Sequence, residues 1–246
     1  MSQANSRRIN NSQIDYQGLP TLEVLEGANR YNKWIAESIM SFAASPVLEI
    51  GSGTGNIALH FFSMKPFYAT DVDQGLVSLL RKKFRHEKEI FVEYLDITQK
   101  LPKKFAGKFN TVFAVNVLEH IRDDLGGLRN MLDALSPNGR LILLLPAKKN
   151  AYTNLDKVLG HYRRYEKEEL IDKLKKTGFR VEKIYFFNIL GLLSWVVRDK
   201  FERKDFHLKP YQIAAFDIIV PVLKGIERII SIPVGISLIA VARKIK

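Results

Sequence analysis

Between residues 47 and 178, short apolar runs alternate with segments in which apolar residues recur every three or four positions. The runs are continuous in Val, Ile, Leu and Phe, which is typical of strands that are buried on both faces. The segments between them have the spacing of amphipathic helices. Strands that alternate with helices predict an α/β fold: a doubly wound, mostly parallel sheet that binds its ligand at the carboxyl ends of the strands.

The predicted strands are residues 47–50, 67–72, 90–97, 110–117, 140–146, 181–188 and 235–244. The predicted helices are an aromatic one from Tyr31 to Phe42, then 56–62, 75–84, 124–135 and 167–178. Residues 1–18 are polar and lack the apolar core of a secretory signal, so we expect a flexible tail before a single domain, residues 19–246. Residues 189–233 are an expected helical insertion, and neither of its apolar stretches has the ~20 apolar residues of a membrane span.

A glycine-rich turn follows the first strand directly, as Gly51-Ser52-Gly53-Thr54-Gly55. Closely spaced glycines let a backbone approach a ligand, and at this place in the fold they favour a ligand that contains a nucleoside. Asp71 ends the next strand, where a carboxylate can accept hydrogen bonds from both hydroxyl groups of a ribose. These features alone fit both a nicotinamide-dependent dehydrogenase and a methyltransferase.

Three further features separate the two enzymes. Glu49 lies inside the first strand, where a nicotinamide enzyme would have an apolar residue, and a buried carboxylate needs a cation or hydrogen-bond donors. The ammonium group of an amino-acid-like cofactor, or a water that it holds, would supply that partner. Asp96 ends the third strand, where it could accept a hydrogen bond from an adenine amino group. The fourth strand ends in the polar turn 116–121, at the same edge of the sheet.

Six segments together resemble the ordered motifs of class I S-adenosylmethionine-dependent methyltransferases: VLEIGSGTGN, ATDVD, YLDIT, NVLEHI, SPNGRLILLLP and the terminal SLIAVARK. The segment GHYRRY, residues 160–165, is similar to the small-molecule branch of types 11 and 12. The resemblance implies a seven-stranded Rossmann-like sheet whose last strand is antiparallel. It also implies that S-adenosyl-L-methionine is the cofactor and S-adenosyl-L-homocysteine the product.

The resemblance also implies which residues bind the cofactor. Those at the carboxyl ends of the first four strands are Glu49, Gly51, Ser52, Gly53, Asp71, Val72, Asp96, Ile97 and Asn116. Ribose would lie on Asp71, adenine near Asp96, and the methionine part near Glu49 and Asn116, with Tyr31 folding over it. The alternatives are structural: Glu49 as a capping or ion-paired acid, and Asp96 as a carboxylate of a local loop. Asp71 could instead cap the next helix, although Asp73 is better placed for that role.

Two histidines are candidate catalytic residues, because removal of a proton from the acceptor can assist methyl transfer. His161 follows the fifth strand on a segment able to cover the pocket, and His120 follows the fourth strand. The alternative for His120 is simple packing. No set of histidines and carboxylates has metal-ligand spacing, so no metal is expected.

Three neighbours of His161 are expected to bind an anionic or hydroxylated substrate: Arg163, Arg164 and Tyr165. In the alternative interpretation this segment is structural, and the arginines pair with the acidic residues that follow, Glu166, Glu168 and Glu169.

The chain has a formal net charge of +12 and no cysteine. Without cysteine there are no disulfides, no thiolate metal site and no cysteine nucleophile, which fits a reducing, cytoplasmic location. Residues 151–246 hold 19 Lys and Arg against 11 Asp and Glu, and this excess favours an anionic partner. The alternative is a solvated, lysine-rich surface.

The expected function is methyl transfer to oxygen, nitrogen or carbon of a small molecule, by a monomer or a homodimer. The apolar, basic-rimmed stretches of residues 189–233 add a narrower hypothesis, a lipid-linked acceptor with peripheral contact to a membrane; packing as a cap or in a dimer is the alternative. Two other functions stay open: RNA methylation, prompted by the charge, and a non-catalytic cofactor-binding or membrane-surface module. The turn at Asn116 lacks the prolines of base-amine methyltransferases, which makes nucleic acid the less favoured partner.

Overall fold

The computed structural model describes residues 27–189, 210–229 and 233–245. Its strands are β1 (Val47–Ile50), β2 (Phe67–Asp71), β3 (Ile90–Tyr94), β4 (Phe109–Val115), β5 (Leu135–Pro146), β6 (Phe179–Phe187) and β7 (Ser237–Lys244). They form one sheet in the order β3-β2-β1-β4-β5-β7-β6. β7 is antiparallel to both of its neighbours, and the other pairs are parallel. The predicted seven-stranded, doubly wound fold with an antiparallel last strand is confirmed.

The helices are α1 (Asn29–Met40), α2 (Gln74–Lys83), α3 (Asp124–Ala134), α4 (Asn154–Val158), α5 (Lys167–Lys176) and α6 (Pro210–Ile229). In place of the α-helix expected from residue 56, the chain forms a short 3-10 helix, Ala58–Phe61. This tight turn places Phe61 against Phe113, with 4.8 Å between the ring centroids. Helix α4 was not predicted, although Thr153 and Asp156 form a capping box at its start.

Both faces of the sheet are covered, which explains why its strands are continuous in apolar residues. Along β5, Leu141 and Leu143 pack into the core on one face, and Ile142 and Leu144 pack into the core on the other. All four residues of β1 are buried, and Glu49 is the charged one among them. A carboxylate in a central strand breaks the apolar rule, and such exceptions point to a functional site.

Helix α6 holds the start of helix α1. The N-cap residue of α1 is Ala28, which offers no side-chain acceptor. Asp217 of α6 replaces it, because its carboxylate accepts hydrogen bonds from the backbone N–H groups of Arg30 (3.1 Å) and Tyr31 (2.9 Å). A carboxylate at this position satisfies two of the unpaired N–H groups and the positive end of the helix dipole.

Helix α6 agrees with the helical stretch expected in the second half of residues 189–233. Most of the first apolar stretch, residues 190–209, and the expected tail, residues 1–18, lie outside the described residues. Within the described ranges, no helix is both long enough and apolar enough to cross a bilayer.

Candidate active site

The glycine turn after β1 needs its glycines. Gly51, Gly53 and Gly55 all have positive φ, at 71°, 56° and 81°. A β-carbon on Gly51 would lie 2.5 Å from Cγ2 of Val117, so a side chain there would meet both backbone strain and a clash. The backbone is therefore bare where a ligand would approach, and the turn lies directly against the turn that follows β4.

Asp71 holds this turn in place. Its carboxylate accepts hydrogen bonds from the backbone N–H groups of Gly53 (2.8 Å) and Asp73 (3.0 Å). Burial raises the pKa of Asp71, and these two bonds partly offset that rise. The sequence analysis left open a capping role for Asp71, but Asp73 is the side chain that caps α2, accepting from Gly75 and Leu76. Each carboxylate oxygen of Asp71 keeps a second lone pair, which a ribose hydroxyl group could use.

Glu49 supplies a second acidic group beside the turn. Its side chain is 2% exposed and accepts one hydrogen bond, from Oγ of Ser52 at 2.7 Å. Burial raises the pKa of Glu49 to about 8; the Ser52 bond lowers it and the negative charge of Asp71 raises it further. No cation pairs with Glu49 within the described residues, so the structural ion pair considered as its alternative role is absent there. Two buried carboxylates without a cation fit a positively charged ligand.

The residues expected near adenine divide into two groups. Val72 is 56% exposed directly after β2, so its apolar side chain is available to a flat ring. Asp96 accepts from the N–H and Oγ1 of Thr98 through Oδ1, which is the local turn considered as its alternative role, and Oδ2 makes no bond to the described part of the chain. Ile97 is buried in the core, so its side chain does not line an open site.

The two residues expected near the methionine part differ in position. Asn116 is exposed just beyond the end of β4, in a left-handed conformation with φ of 52°. Tyr31 packs its ring near Phe187 and Phe216, and its hydroxyl oxygen accepts a hydrogen bond from Asn188. These contacts lie at the end of β6 and on α6, and they do not support the prediction that Tyr31 contacts the cofactor.

The two candidate catalytic histidines meet, although they come from different segments. The rings of His120 and His161 pack edge to face, with 4.6 Å between their centroids. Nδ1 of His161 lies 2.8 Å from Oδ1 of Asp156, which fixes the orientation of that ring. Burial lowers the pKa of His120 to about 4, and the neighbouring His161 contributes to the shift. His120 is therefore neutral at neutral pH.

Glu119 completes the cluster, and the sequence analysis did not single it out. Its side chain is fully buried, and neither carboxylate oxygen has a hydrogen-bond partner in the described part of the chain. Burial raises the pKa of Glu119 to about 8. The charge of Asp156 also raises this pKa, and the backbone N–H of Glu119 lowers it slightly without forming a full hydrogen bond. Its position directly before His120 in NVLEHI was the available signal.

Asp156 was also missed, and it corrects the expected role of Arg164. Arg164 is buried and its Nε donates to Oδ1 of Asp156 at 2.9 Å. Burial would raise the pKa of Asp156, but the bonds from His161 and Arg164 hold it at about 2. Arg164 therefore neutralises the carboxylate that orients His161, and this pairing does not support its predicted role in substrate binding. The capping box at the start of α4 was the signal for Asp156.

Tyr165 and Arg163 bind a different carboxylate, that of Asp124. Tyr165 is 0% exposed and donates to Oδ2 of Asp124 at 3.1 Å, and this position does not support its predicted role in substrate binding. Arg163 forms an ion pair with the same carboxylate at 2.8 Å, and Lys173 donates to it at 2.7 Å. The alternative partners expected from the sequence, such as Glu166, are not the ones used. The partners lie far away in the sequence, and for that reason local spacing did not reveal them.

The comparisons with known proteins match the part of the chain that forms this site. Residues 48–141 match the family described as Methyltransferase domain, and this stretch contains the glycine turn, Asp71 and Glu119. The juvenile hormone acid O-methyltransferase of Drosophila melanogaster is 28% identical over 121 residues, 46% of this chain and 40% of that protein. The tRNA U34 carboxymethyltransferase of Campylobacter concisus is 28% identical over 173 residues, 69% of this chain and 53% of that protein. The chain thus spans about half of these relatives, or less.

The fold is also shared with solved structures. Phosphoethanolamine N-methyltransferase 2 of Haemonchus contortus, solved in complex with S-adenosyl-L-methionine, superposes with a TM-score of 0.58 at 17% identity. The superposition covers 86% of this chain and 52% of that one. The strand order, the glycine turn with Asp71, and the match over residues 48–141 agree with one another. Residues 48–141 thus match a methyltransferase domain, and the seven-stranded sheet has the Rossmann-like fold of the methyltransferases.

Proposed function

We propose that this protein uses S-adenosyl-L-methionine to methylate a small molecule directly at oxygen, nitrogen or carbon. The observation that carries the proposal is the pair of buried carboxylates, Glu49 and Asp71, at a glycine turn with positive φ. The cofactor combines a nucleoside with positive charge on its sulfur and amino group. A bare backbone turn, a ribose acceptor and an unpaired acidic group are what such a molecule requires.

When bound, S-adenosyl-L-methionine supplies a methyl group on a positively charged sulfur, which an acceptor atom can displace. Glu49 would hold the ammonium end directly or through water, Asp71 the ribose, and Val72 one face of the adenine. The bare turn at Gly51 and Gly53 would let the cofactor lie against the backbone. Much of the rate would come from alignment of the two reactants in this site.

The histidine cluster lies on the acceptor side of this arrangement. Val117 packs against Gly51, and Glu119 and His120 follow it within one turn, so the cluster is adjacent to the cofactor turn. His161, oriented by Asp156, would hold the acceptor and assist loss of its proton. The similarity to a juvenile hormone acid O-methyltransferase supports a small acceptor with an oxygen nucleophile. Neither the described residues nor the comparisons support a lipid-linked acceptor or contact with a membrane.

Calorimetry on the full chain with S-adenosyl-L-methionine, S-adenosyl-L-homocysteine and NAD tests the cofactor assignment. The first two ligands should bind and NAD should not. Asp71→Ala should weaken binding by about 2–4 kcal/mol, because it removes a buried acceptor. Asp133→Ala, an exposed residue on α3, is the control. Thermal unfolding of both variants separates lost binding from lost folding, and unchanged affinity in a folded Asp71→Ala protein would overturn the assignment.

RNA methylation is the second candidate, because the similarity to a tRNA U34 carboxymethyltransferase extends over 69% of this chain and the net charge is +12. Binding of bulk tRNA at several salt concentrations distinguishes the two. An RNA enzyme should bind with an affinity that falls steeply as salt rises, since phosphate contacts release counterions. Absence of binding at low salt leaves the small-molecule reaction.

A further inference from the structure

Glu119, His120 and His161 converge on one point. One potential metal-ligand atom from each side chain lies within 4.8 Å of the others. Two chain segments bring them there: the 3-10 turn Leu118–His120 after β4, and the segment after helix α4. The backbone N–H of Tyr162 donates to the carbonyl oxygen of Glu119 at 2.8 Å, so the two segments are fixed to each other. The fold itself builds the cluster.

The carboxylate of Glu119 has the environment of a metal ligand. It is fully buried, and both oxygens lack a hydrogen-bond partner among residues 27–189, 210–229 and 233–245. The nearby guanidinium of Arg164 does not fill this role, because it bonds to Asp156 and to the carbonyl oxygen of Ala147. A buried carboxylate without donors is costly, and an ion held between it and two imidazoles would remove that cost.

His161 is supported as metal-binding histidines usually are, through the ring nitrogen that would not bind the ion. Nδ1 of His161 is held by Asp156, which leaves Nε2 available. Asp156 is itself fixed by Nε of Arg164 at 2.9 Å and by the backbone N–H of Thr153 at 2.8 Å. A hydrogen bond to the backbone of Gly160 holds His120.

We propose that Glu119, His120 and His161 bind a divalent ion of the zinc class, and that its open coordination position takes an oxygen atom of the acceptor. The second half of this proposal rests on the proposed function. Two imidazoles and one carboxylate are a donor set of catalytic zinc sites, which keep a fourth position open. Magnesium and calcium prefer oxygen ligands throughout, so they fit this set less well. The acceptor class is then a small molecule with a hydroxyl or carboxyl group, since bound oxygen loses its proton more readily.

Zinc binding is measured by calorimetry on the full chain, free of any affinity tag and stripped with a chelator. We expect about one tightly bound zinc ion per chain. Each of the variants Glu119→Gln, His120→Ala and His161→Ala removes one ligand and should lower the affinity for zinc at least about tenfold. His86→Ala is the matched control, because His86 is an exposed histidine outside the cluster. Cobalt provides a second readout, since its visible absorption reports coordination by these side chains. Thermal unfolding of each variant identifies any that fails to fold.

Wild-type protein that binds zinc no more tightly than the Glu119→Gln and His161→Ala variants would overturn the metal site. The positioning role of Asp156 has its own test: Asp156→Asn should weaken zinc binding about 10- to 100-fold with the three ligands intact. S-adenosyl-L-methionine binding is measured in parallel on Glu119→Gln. If the wild-type protein binds zinc but not S-adenosyl-L-methionine, the proposed function is wrong and the metal site remains. If it binds S-adenosyl-L-methionine but not zinc, the metal site is wrong and the proposed function remains.

Discussion

Gly51 and Val117 bring the two halves of the candidate site into contact: a β-carbon on Gly51 would lie 2.5 Å from Cγ2 of Val117. Gly51 begins the turn that would carry the cofactor, and Val117 begins the turn that carries Glu119 and His120. A side chain at Gly51 would therefore disturb both turns.

Gly51→Ala should destabilise the protein by about 1–3 kcal/mol and weaken binding of S-adenosyl-L-methionine. The new methyl group meets a positive φ and the Val117 side chain together. Gly107→Ala is the matched control, because Gly107 has φ of 65° and a β-carbon there would have nothing within 4 Å, so this variant reports backbone strain alone. Urea unfolding and calorimetry give the two quantities. Equal losses in both variants would show that the contact with Val117 is unimportant.

Cofactor affinity should rise with pH between about pH 5.5 and 7.5, by up to about tenfold per pH unit. Burial raises the pKa of Glu49 to about 8, so the group is mostly protonated without ligand, and a cationic ligand favours its ionised form. Binding should therefore release about one proton, which calorimetry in buffers of different ionisation enthalpy detects. Glu49→Gln should bind more weakly and lose this dependence. A wild-type affinity that is flat across this range contradicts the role of Glu49.

The sequence predicted the parts of the site that depend on local patterns. The strand that ends in glycines, the acid at the end of β2 and the position of Asp73 as a helix cap are all readable within a few residues, and the structure has them. Burial and partner choice are not local. Glu119 looks like a surface acid in a polar turn, and only the packing of the segment that contains His161 against it leaves it buried without partners in the described part of the chain.

The same reason explains why the partners of residues 163–165 could not be predicted from the sequence. Two arginines and a tyrosine beside a histidine resemble a binding surface for an anion, and the nearest acids in sequence are those of α5. The fold offers Asp124 and Asp156 instead, which approach from α3 and α4 and are buried. An arginine paired with a buried carboxylate stabilises the site through that pair.

Stability at low pH should depend on Asp124. Burial alone would raise the pKa of Asp124, but hydrogen bonds and charge from Lys173 and Arg163 lower it below the ordinary value. Because the folded pKa is below the unfolded one, the group stabilises the fold above about pH 4, and this contribution is lost as the pH falls through the folded pKa.

Asp124→Asn should therefore lower the free energy of unfolding near neutral pH and converge with wild type in acid. Urea unfolding at a series of pH values measures both ends of this range. Asp133→Asn, at an exposed position on the same helix, should follow the wild-type curve throughout. Parallel curves for wild type and Asp124→Asn would mean that Asp124 contributes nothing that depends on its ionisation.

Asp217→Ala should destabilise the protein by about 0.5–2 kcal/mol, the usual cost of losing a helix N-cap. Its carboxylate is the side-chain acceptor for the first N–H groups of α1, and Ala28 cannot replace it. Asp217→Asn keeps an acceptor oxygen and should lose less. The free energy of unfolding in urea ranks the three proteins, and an alanine variant as stable as wild type would show that water caps α1 equally well.

The ion pair of Asp156 and Arg164 should behave as a buried pair, costly to break from one side. Asp156→Asn leaves the Arg164 guanidinium buried without a compensating negative charge, so we expect a loss of about 3–5 kcal/mol in the free energy of unfolding. Arg164→Met should cost less, because Asp156 keeps its bonds from His161 and the backbone N–H of Thr153.

The double variant, with Asp156→Asn and Arg164→Met together, decides between a buried pair and two independent residues. If the pair is coupled, the double variant should be clearly more stable than the sum of the single losses predicts, because the uncompensated guanidinium is gone. Lys149→Met supplies the comparison for removing a cation, since Lys149 pairs with Glu169 at an exposed position and should change stability little. Strictly additive losses at Asp156 and Arg164 would mean that the two residues contribute to stability independently.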